Sequence, residues 1–224
     1  MPNKYVPRRY KNEVFKRQNA TVPLKNKKDM ESVLLYFLRK RDHAKTEIKR
    51  RQADRNWMIC LLGFNFAFRA EDLLQLMKID LINGYVSLKE LKTGKVQNFK
   101  INHLLFDDIK EYCERNDIKD YDYLFSGQTK KDKPLTRQQF NKVLAKARKE
   151  MKLAIPLSMH TLRKTFAYHH YLEKKDLVTL QKLLNHADAS TTLLYIQWDM
   201  NDAEKAREDT YNGGVHRKKV KSRI

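Results

Sequence analysis

Apolar residues recur at helical spacing along most of the chain, and this pattern is the strongest constraint on its fold. Met30, Val33, Leu34, Phe37 and Leu38 follow the i, i+3, i+4, i+7, i+8 spacing of a helix with one buried face. The same spacing predicts helices over about 46–63, 69–77, 104–115, 136–151, 158–174, 177–185 and 191–196. Thr136 with Gln139 forms a capping box, and Ser158 can cap the helix that follows it.

The period changes from helical to alternating in only one part of the chain. Tyr85–Lys89 and Val96–Ile101 are predicted to be two short strands. The letters LKTGK between them predict a turn in which Gly94 adopts a positive φ. The predicted fold class is therefore α+β, mainly α with a small antiparallel β-hairpin.

The charge is concentrated at the two ends. The 224 residues carry 47 Lys plus Arg and 27 Asp plus Glu, a net charge of +20. Residues 1–30 hold nine basic and two acidic residues, a net of +7, and residues 212–224 hold five basic residues and no acid. We predict a basic N-terminal arm over 1–27, one helical domain over 28–211 and a basic C-terminal tail over 212–224.

A sequence pI near 9.8 indicates a polyanionic partner, first of all nucleic acid. A membrane-surface protein is the competing class, but no apolar run reaches transmembrane length and Met1–Arg17 lacks the apolar core of a signal peptide. Charge alone also fits a ribosomal or architectural protein. Cys60 and Cys113 lie in apolar helical patterns and are interpreted as reduced core residues, so we expect a cytoplasmic, DNA-associated protein.

The segment MHTLRKTF places His160 and Arg163 on one face of a helix start. Free backbone N–H groups and the positive end of the helix dipole would add to a phosphate site there. In FNFAFRAEDLL, Arg69 follows an apolar run and needs an acidic partner, which Glu71 or Asp72 could supply. Taken alone, each pattern also fits a solvated surface charge or a structural ion pair.

The segment LLNHADASTTLLYI places His186 before a loop of small and polar residues and Tyr195 in the helix after it. Packing is the simpler interpretation of a tyrosine on a half-apolar helix. Lys92 and Lys95 lie in the hairpin turn, where a lysine is ordinarily a surface charge. The order of these residues along the chain favours a functional interpretation over packing or surface charge.

Arg69, a hairpin lysine, HTLR and LLNHADASTTLLYI occur in an order that resembles the tyrosine recombinase family, which includes phage integrases, chromosome-dimer resolvases and fimbrial switch invertases. The resemblance covers roughly residues 28–200. It implies that Tyr195 is the nucleophile and that Arg69 and Arg163 clamp the scissile phosphate. It also implies that His160 is the histidine of the HxxR box and that His186 hydrogen-bonds a phosphate oxygen.

The resemblance assigns Lys92 as the general acid, with Lys95 as the alternative, and gives Asp72 a structural role. It implies cleavage through a 3′-phosphotyrosyl bond without metal or cofactor. His160, His169 and His170 suggest a metal site only weakly, because no Cys or carboxylate completes a tetrahedral set.

The partner implied by the resemblance is double-stranded DNA, bound by a tetramer that assembles on it. The segment 201–211 is expected to pack on a neighbouring subunit, and accessory DNA-bending proteins are further partners that the resemblance allows. A type IB topoisomerase and a non-catalytic DNA-binding protein derived from a recombinase are the alternative functions.

The match departs from the family pattern in three places. Typical members carry a separate N-terminal helical domain, whereas residues 1–27 are interpreted as an arm, as expected for a short form of the family. Lys164 follows Arg163 where many members have a second histidine, and Asn185 precedes His186 where glycine is common.

Overall fold

The computed structural model describes residues 21–127, 133–186 and 189–196. Within these ranges the chain is mainly helical, with one two-stranded antiparallel sheet, and the predicted fold class is confirmed. The elements in chain order are α1 (Lys27–Asp42), α2 (Glu47–Asn65), α3 (Ala70–Leu74), a 3-10 segment (Lys78–Gly84), β1 (Tyr85–Lys89), β2 (Val96–Lys100), α4 (His103–Arg115), α5 (Arg137–Met151), α6 (Met159–Lys174), α7 (Leu177–Leu184) and α8 (Ala189–Ile196). In the described part of the chain, none of the helices combines the length and apolarity needed to cross a membrane.

Side-chain caps determine where the helices begin. The predicted capping box at α5 is present, with Gln139 N donating to Thr136 Oγ1 at 3.2 Å and Gln139 Oε1 accepting from Thr136 N at 2.9 Å. Ser158 caps α6 through a 3.2 Å bond from Thr161 N, as predicted. These caps satisfy N–H groups that have no partner within the helix, and the second one fixes the start of the helix that carries His160 and Arg163.

The central helix of the core is α2, which packs against α1 and α6. Its fully buried side chains include Met58, Ile59 and Leu62. The helix ends at Asn65, two residues beyond the Gly63 near which the sequence predicted its end. A Cβ at Gly63 would lie 2.8 Å from Leu162 Cδ1, so the glycine permits the close approach of α2 and α6 instead of ending α2.

The predicted third helix, residues 69–77, is shorter in the structure and spans only Ala70–Leu74. After it the chain runs extended, with Leu76 O accepting from Leu124 N at 2.8 Å and Met77 forming an antiparallel bridge to Tyr123. Leu76 is fully buried in this arrangement. Pairing with a distant segment therefore satisfies backbone groups that would otherwise form hydrogen bonds within a longer helix.

The hairpin has the predicted turn, and its two strands pair antiparallel. Tyr85 pairs with Lys100 and Lys89 with Val96, so β2 ends one residue before the predicted Ile101. Gly94 has a φ of +68°, as predicted for the turn. The turn projects Lys92 and Lys95 from the end of the two strands.

The described start of the chain lies along α6. Leu24 is fully buried, and its N–H donates to Thr165 Oγ1 at 2.9 Å. His169 Nε2 donates to Leu24 O at 2.9 Å, and Lys164 Nζ donates to Thr21 O at 2.6 Å. Residues 21–26 of the predicted arm thus pack on the domain, whereas residues 1–20 and the predicted tail 212–224 lie outside the described residues.

We expect Leu24→Ala to lower the free energy of unfolding by about 2–4 kcal/mol, because it removes a fully buried side chain and leaves a cavity against α6. Urea denaturation followed by circular dichroism measures this change. Leu35→Ala is the matched control, since Leu35 is 48% exposed and its truncation should cost less than about 0.5 kcal/mol. Equal losses in the two variants would contradict the docking of residues 21–26.

Candidate active site

A cleft of about 960 Å³ opens between α3, the hairpin turn, α6 and α8. All six residues that the sequence singled out line it: Arg69, Lys92, His160, Arg163, His186 and Tyr195. Arg69 precedes α3, Lys92 lies in the hairpin turn, and Tyr195 lies on α8. The fold therefore brings together groups that are far apart in the sequence.

Tyr195 contacts two histidines. Its ring makes edge contacts with His160 and with His186, each at 5.0 Å between ring centroids. The Tyr195 hydroxyl lies 3.4 Å from His160 Nδ1. The ring also packs against a small apolar cluster formed by Ala167, Leu180 and Leu184. The packing interpretation of this tyrosine is therefore compatible with a chemical role for its hydroxyl.

The electrostatics of the pair favour a protonated tyrosine beside a neutral histidine. Burial raises the pKa of Tyr195 to about 12, against the opposing effect of Arg163 and Arg69. Burial also lowers the pKa of His160 to about 4, helped by the positive charge of Lys164 and Arg163. At neutral pH the His160 ring is therefore uncharged, and its unprotonated nitrogen can act as a hydrogen-bond acceptor.

Arg163 is the most buried cation of the cleft, with 5% of the residue exposed. Its Nη2 donates to Leu184 O at 2.8 Å, whereas its buried Nη1 has no hydrogen-bond partner among the described residues. Burial lowers the pKa of the guanidinium, but arginine stays protonated at neutral pH. A phosphate oxygen in the cleft would supply the acceptor that Nη1 needs.

Arg69 is paired with an acid that the sequence analysis did not single out. Its Nη1 lies 2.7 Å from Glu90 Oε2, so the prediction that Glu71 or Asp72 is its partner was wrong. Glu71 instead pairs with Arg137 at 3.1 Å. Asp72, which is 1% exposed, accepts a hydrogen bond from Leu91 N at 2.9 Å. The short α3 turns both carboxylates toward other partners.

Of the two hairpin lysines, Lys92 lines the cleft, and both lysines are exposed. The bond from Leu91 N to Asp72 anchors the residue before Lys92 to α3. Glu90 N donates to Lys95 O at 2.9 Å and closes the turn behind it. Of the two residues predicted as alternatives, Lys92 is therefore the one that lies at the cleft.

The loop that carries His186 begins at the end of α7. Asn185 caps that helix with a φ of +52°, and His186 N donates to Gln181 O at 3.1 Å. The His186 Nδ1 atom lies 3.1 Å from the hydroxyl oxygen of Thr192, a fully buried residue of α8. This contact orients the ring beside Tyr195. Residues 187 and 188 of the loop lie outside the described residues.

The weak metal-site hypothesis for His160, His169 and His170 gains no support from their surroundings. His160 faces Tyr195, whereas His169 bonds to the backbone of Leu24. Among the described residues, no three His, Cys, Asp or Glu side chains are grouped so that they could hold a metal ion. Cys60 and Cys113 are free and buried, as predicted.

Comparison with known proteins shows which family the chain resembles. The chain matches the phage integrase family over residues 31–202. It is 35% identical over 160 residues to the probable integrase/recombinase YoeC of Bacillus subtilis, covering 71% of this chain and 86% of YoeC. It is 32% identical over 157 residues to the tyrosine recombinase XerA of Thermococcus kodakarensis, covering 69% of this chain and 55% of XerA. The chain therefore spans about half the length of that archaeal relative.

Solved structures share the fold. A crystal structure of the XerA recombinase superposes with a TM-score of 0.65 at 15% identity, covering 86% of this chain and 67% of that one. The site-specific recombinase XerH, bound to palindromic difH substrate in a post-cleavage complex, gives a TM-score of 0.62 at 24% identity, covering 86% of this chain and 54% of XerH. The family match spans most of the sequence, and all six cleft residues lie within it. The chain therefore belongs to the phage integrase family.

Proposed function

We propose that the chain is the catalytic part of a site-specific DNA recombinase, which cleaves and rejoins DNA strands through a 3′-phosphotyrosyl intermediate. The observation that carries the proposal is the cleft in which the Tyr195 hydroxyl meets His160 and is surrounded by cationic side chains. The relatives named as a probable integrase/recombinase and as a tyrosine recombinase support the same reaction class.

In the proposed cleavage step, the Tyr195 oxygen attacks the scissile phosphorus. A new phosphorus–oxygen bond forms as the bond to the 5′ oxygen of the next nucleotide breaks. The phenolic proton passes to His160 Nδ1, and Lys92 gives a proton to the departing 5′ oxygen. The products are a 3′-phosphotyrosyl bond and a free 5′-hydroxyl, and attack by another 5′-hydroxyl reverses the step without a nucleotide cofactor.

Negative charge on the nonbridging oxygens grows during this attack. Hydrogen-bond donors held in place in the cleft would stabilise that charge. Arg163 has an unused Nη1, and Arg69 supplies a second guanidinium. His186, whose ring contacts that of Tyr195, adds a ring nitrogen. Donors that are already in place cost no reorganisation at the moment of reaction, which makes this kind of stabilisation large.

The proposed partner is double-stranded DNA, and the proposed assembly is a tetramer that joins two sites, with accessory DNA-bending proteins as further partners. XerH was solved on a palindromic substrate, which presents two equivalent half-sites. Two protomers on each of two sites would make four. Native mass spectrometry of the protein–DNA complex checks the number, and complexes that never exceed one protomer per duplex would contradict the assembly.

Covalent trapping tests the proposed function. The protein is incubated with nicked suicide duplexes prepared from the DNA that flanks its gene, and the products are separated in denaturing detergent. We expect a protein–DNA adduct that maps to Tyr195, with a free 5′-hydroxyl on the released strand. Strong binding without any adduct would favour the non-catalytic alternative. Relaxation of supercoiled DNA by a monomer, without sequence preference, would favour the topoisomerase alternative.

We expect deletion of residues 1–20 to reduce the salt dependence of DNA binding. This segment carries six basic residues and one acidic residue, a net of +5. Each phosphate contact adds about 0.9 to the slope of log K against log salt, so the slope should fall by about 2–5. Fluorescence anisotropy at several salt concentrations measures it.

The deletion stops before Thr21 because residues 21–26 pack on α6. A variant with residues 1–20 scrambled keeps the charge and serves as the control, which should retain the slope. If the deleted and intact proteins show the same slope, residues 1–20 do not contact phosphate.

A further inference from the structure

Glu90 is a buried carboxylate that pairs with Arg69 of the cleft, and the proposed chemistry does not use it. It follows β1 directly and is 3% exposed. Burial by itself raises the pKa of its carboxyl, but hydrogen bonds from Thr93, Asn185 and Gln97 outweigh burial and hold that pKa below its usual range. The side chain is therefore an anion at neutral pH.

Each Glu90 oxygen accepts two hydrogen bonds. Oε2 accepts from Arg69 Nη1 at 2.7 Å and from the Thr93 hydroxyl at 2.5 Å. Oε1 accepts from Gln97 Nε2 at 3.0 Å and from Asn185 Nδ2 at 2.8 Å. The four donors come from four separate places: the residue before α3, the hairpin turn, β2 and the end of α7.

Three of these donors belong to, or are adjacent to, a group of the proposed reaction. Arg69 is itself one of the two clamping arginines. Thr93 follows Lys92 in the turn, and Asn185 precedes His186 in the loop. The single carboxylate is thus the point at which the three segments that carry these groups are tied together.

The bond from Asn185 depends on a residue that departs from the common family pattern. Asn185 has a φ of +52°, a left-handed conformation that glycine adopts without strain. Glycine at this position would keep the backbone but lose the amide that reaches Glu90. In this chain the loop of His186 is therefore bound to the hairpin by a side-chain contact.

We propose that Glu90 is a positioning residue that, through Arg69, Thr93 and Asn185, holds the clamp, the Lys92 turn and the His186 loop in one arrangement for strand cleavage. The inference rests on the proposed function. It goes beyond it, because it assigns a role to two residues that take no part in the chemical step and predicts that they act together.

Glu90→Gln is nearly isosteric, but its amide nitrogen faces donors where an acceptor is required. We expect it to lower the single-turnover cleavage rate about 10–100-fold, since small displacements of positioned groups have effects of this size. Asn185→Gly should lower the rate about threefold to tenfold through one lost bond. DNA affinity should stay unchanged in both, and Glu114→Gln, an exposed site with the same charge change, should cleave like wild type.

The measurement is single-turnover cleavage of the duplex recovered by trapping, with a normal 5′ oxygen and with a bridging 5′ sulfur at the scissile position. Sulfur leaves without protonation, so the defect of Glu90→Gln should be smaller on the sulfur duplex if the Lys92 turn is displaced. A merely structural defect would lower both rates equally. The double variant should cleave no more slowly than Glu90→Gln, because both changes break the same contact.

Equal rates for folded Glu90→Gln and wild type would overturn the inference, as would fully multiplicative effects in the double variant. If Glu90→Gln does not fold, Asn185→Gly carries the test, and wild-type cleavage of both duplexes by that variant would overturn the inference. A wild-type protein that cleaves neither duplex would instead overturn the proposed function, and the inference with it.

Discussion

Tyr195→Phe should bind the DNA site with unchanged affinity and form no covalent adduct. The substitution removes only the hydroxyl that lies 3.4 Å from His160 Nδ1, and it keeps the ring that packs on the small apolar cluster. Because the hydroxyl is the proposed nucleophile, its loss should reduce strand cleavage by at least about 10⁴-fold. Adduct formation on suicide duplexes and fluorescence anisotropy measure cleavage and binding.

Tyr171→Phe is the matched control, because Tyr171 packs against the same apolar cluster but does not line the cleft wall described above. It should form the adduct at the wild-type rate. If Tyr195→Phe still forms an adduct, another residue is the nucleophile. If it loses binding together with cleavage, Tyr195 contributes to the interface and its chemical role is not supported.

Lys92→Ala should reduce cleavage of a normal duplex about 10²–10⁴-fold, the contribution typical of general acid catalysis. The 5′ alkoxide is a poor leaving group unless it is protonated. A 5′ thiolate is a good one, because a thiol has a pKa of about 8.5. We therefore expect a bridging 5′ sulfur to restore cleavage by Lys92→Ala but not by Arg163→Ala, in which stabilisation of the phosphate is lost.

Lys95→Ala is the control for the hairpin lysines, since Lys92 lines the cleft and both lysines are exposed. It should cleave both duplexes at nearly wild-type rates. If Lys95→Ala is the variant that sulfur rescues, Lys95 is the general acid. If sulfur rescues neither variant, the proton of the leaving group comes from another source.

Much of the local structure could be predicted from the sequence because it depends on neighbouring residues. The caps at Thr136 and Ser158 satisfy N–H groups within the same helix turn. The turn at Gly94 depends on a φ that the residue type itself permits. The order of Arg69, the hairpin lysine, the HxxR box and Tyr195 was equally readable, and the cleft brings the side chains of that order together.

The features that sequence reasoning missed depend on distant segments. Gly63 lies inside α2, where it permits the close approach of Leu162, and α3 ends at Leu74 because the chain after it pairs with residues around Leu124. A lone acid after a predicted strand was the only signal for Glu90, and the pattern of nearby charges pointed to the wrong partner for Arg69.

Residue types and their order along the chain set which donors, acids and nucleophile are available to the proposed phosphate chemistry. How those groups are held depends on the packing of distant segments. Glu90 accepts hydrogen bonds from Arg69, Thr93 and Asn185, which are brought together by the packing of α3, the hairpin and α7. A buried charge requires hydrogen-bond partners. Which residues supply them depends on how distant segments pack, and spacing along the chain does not show which segments come together.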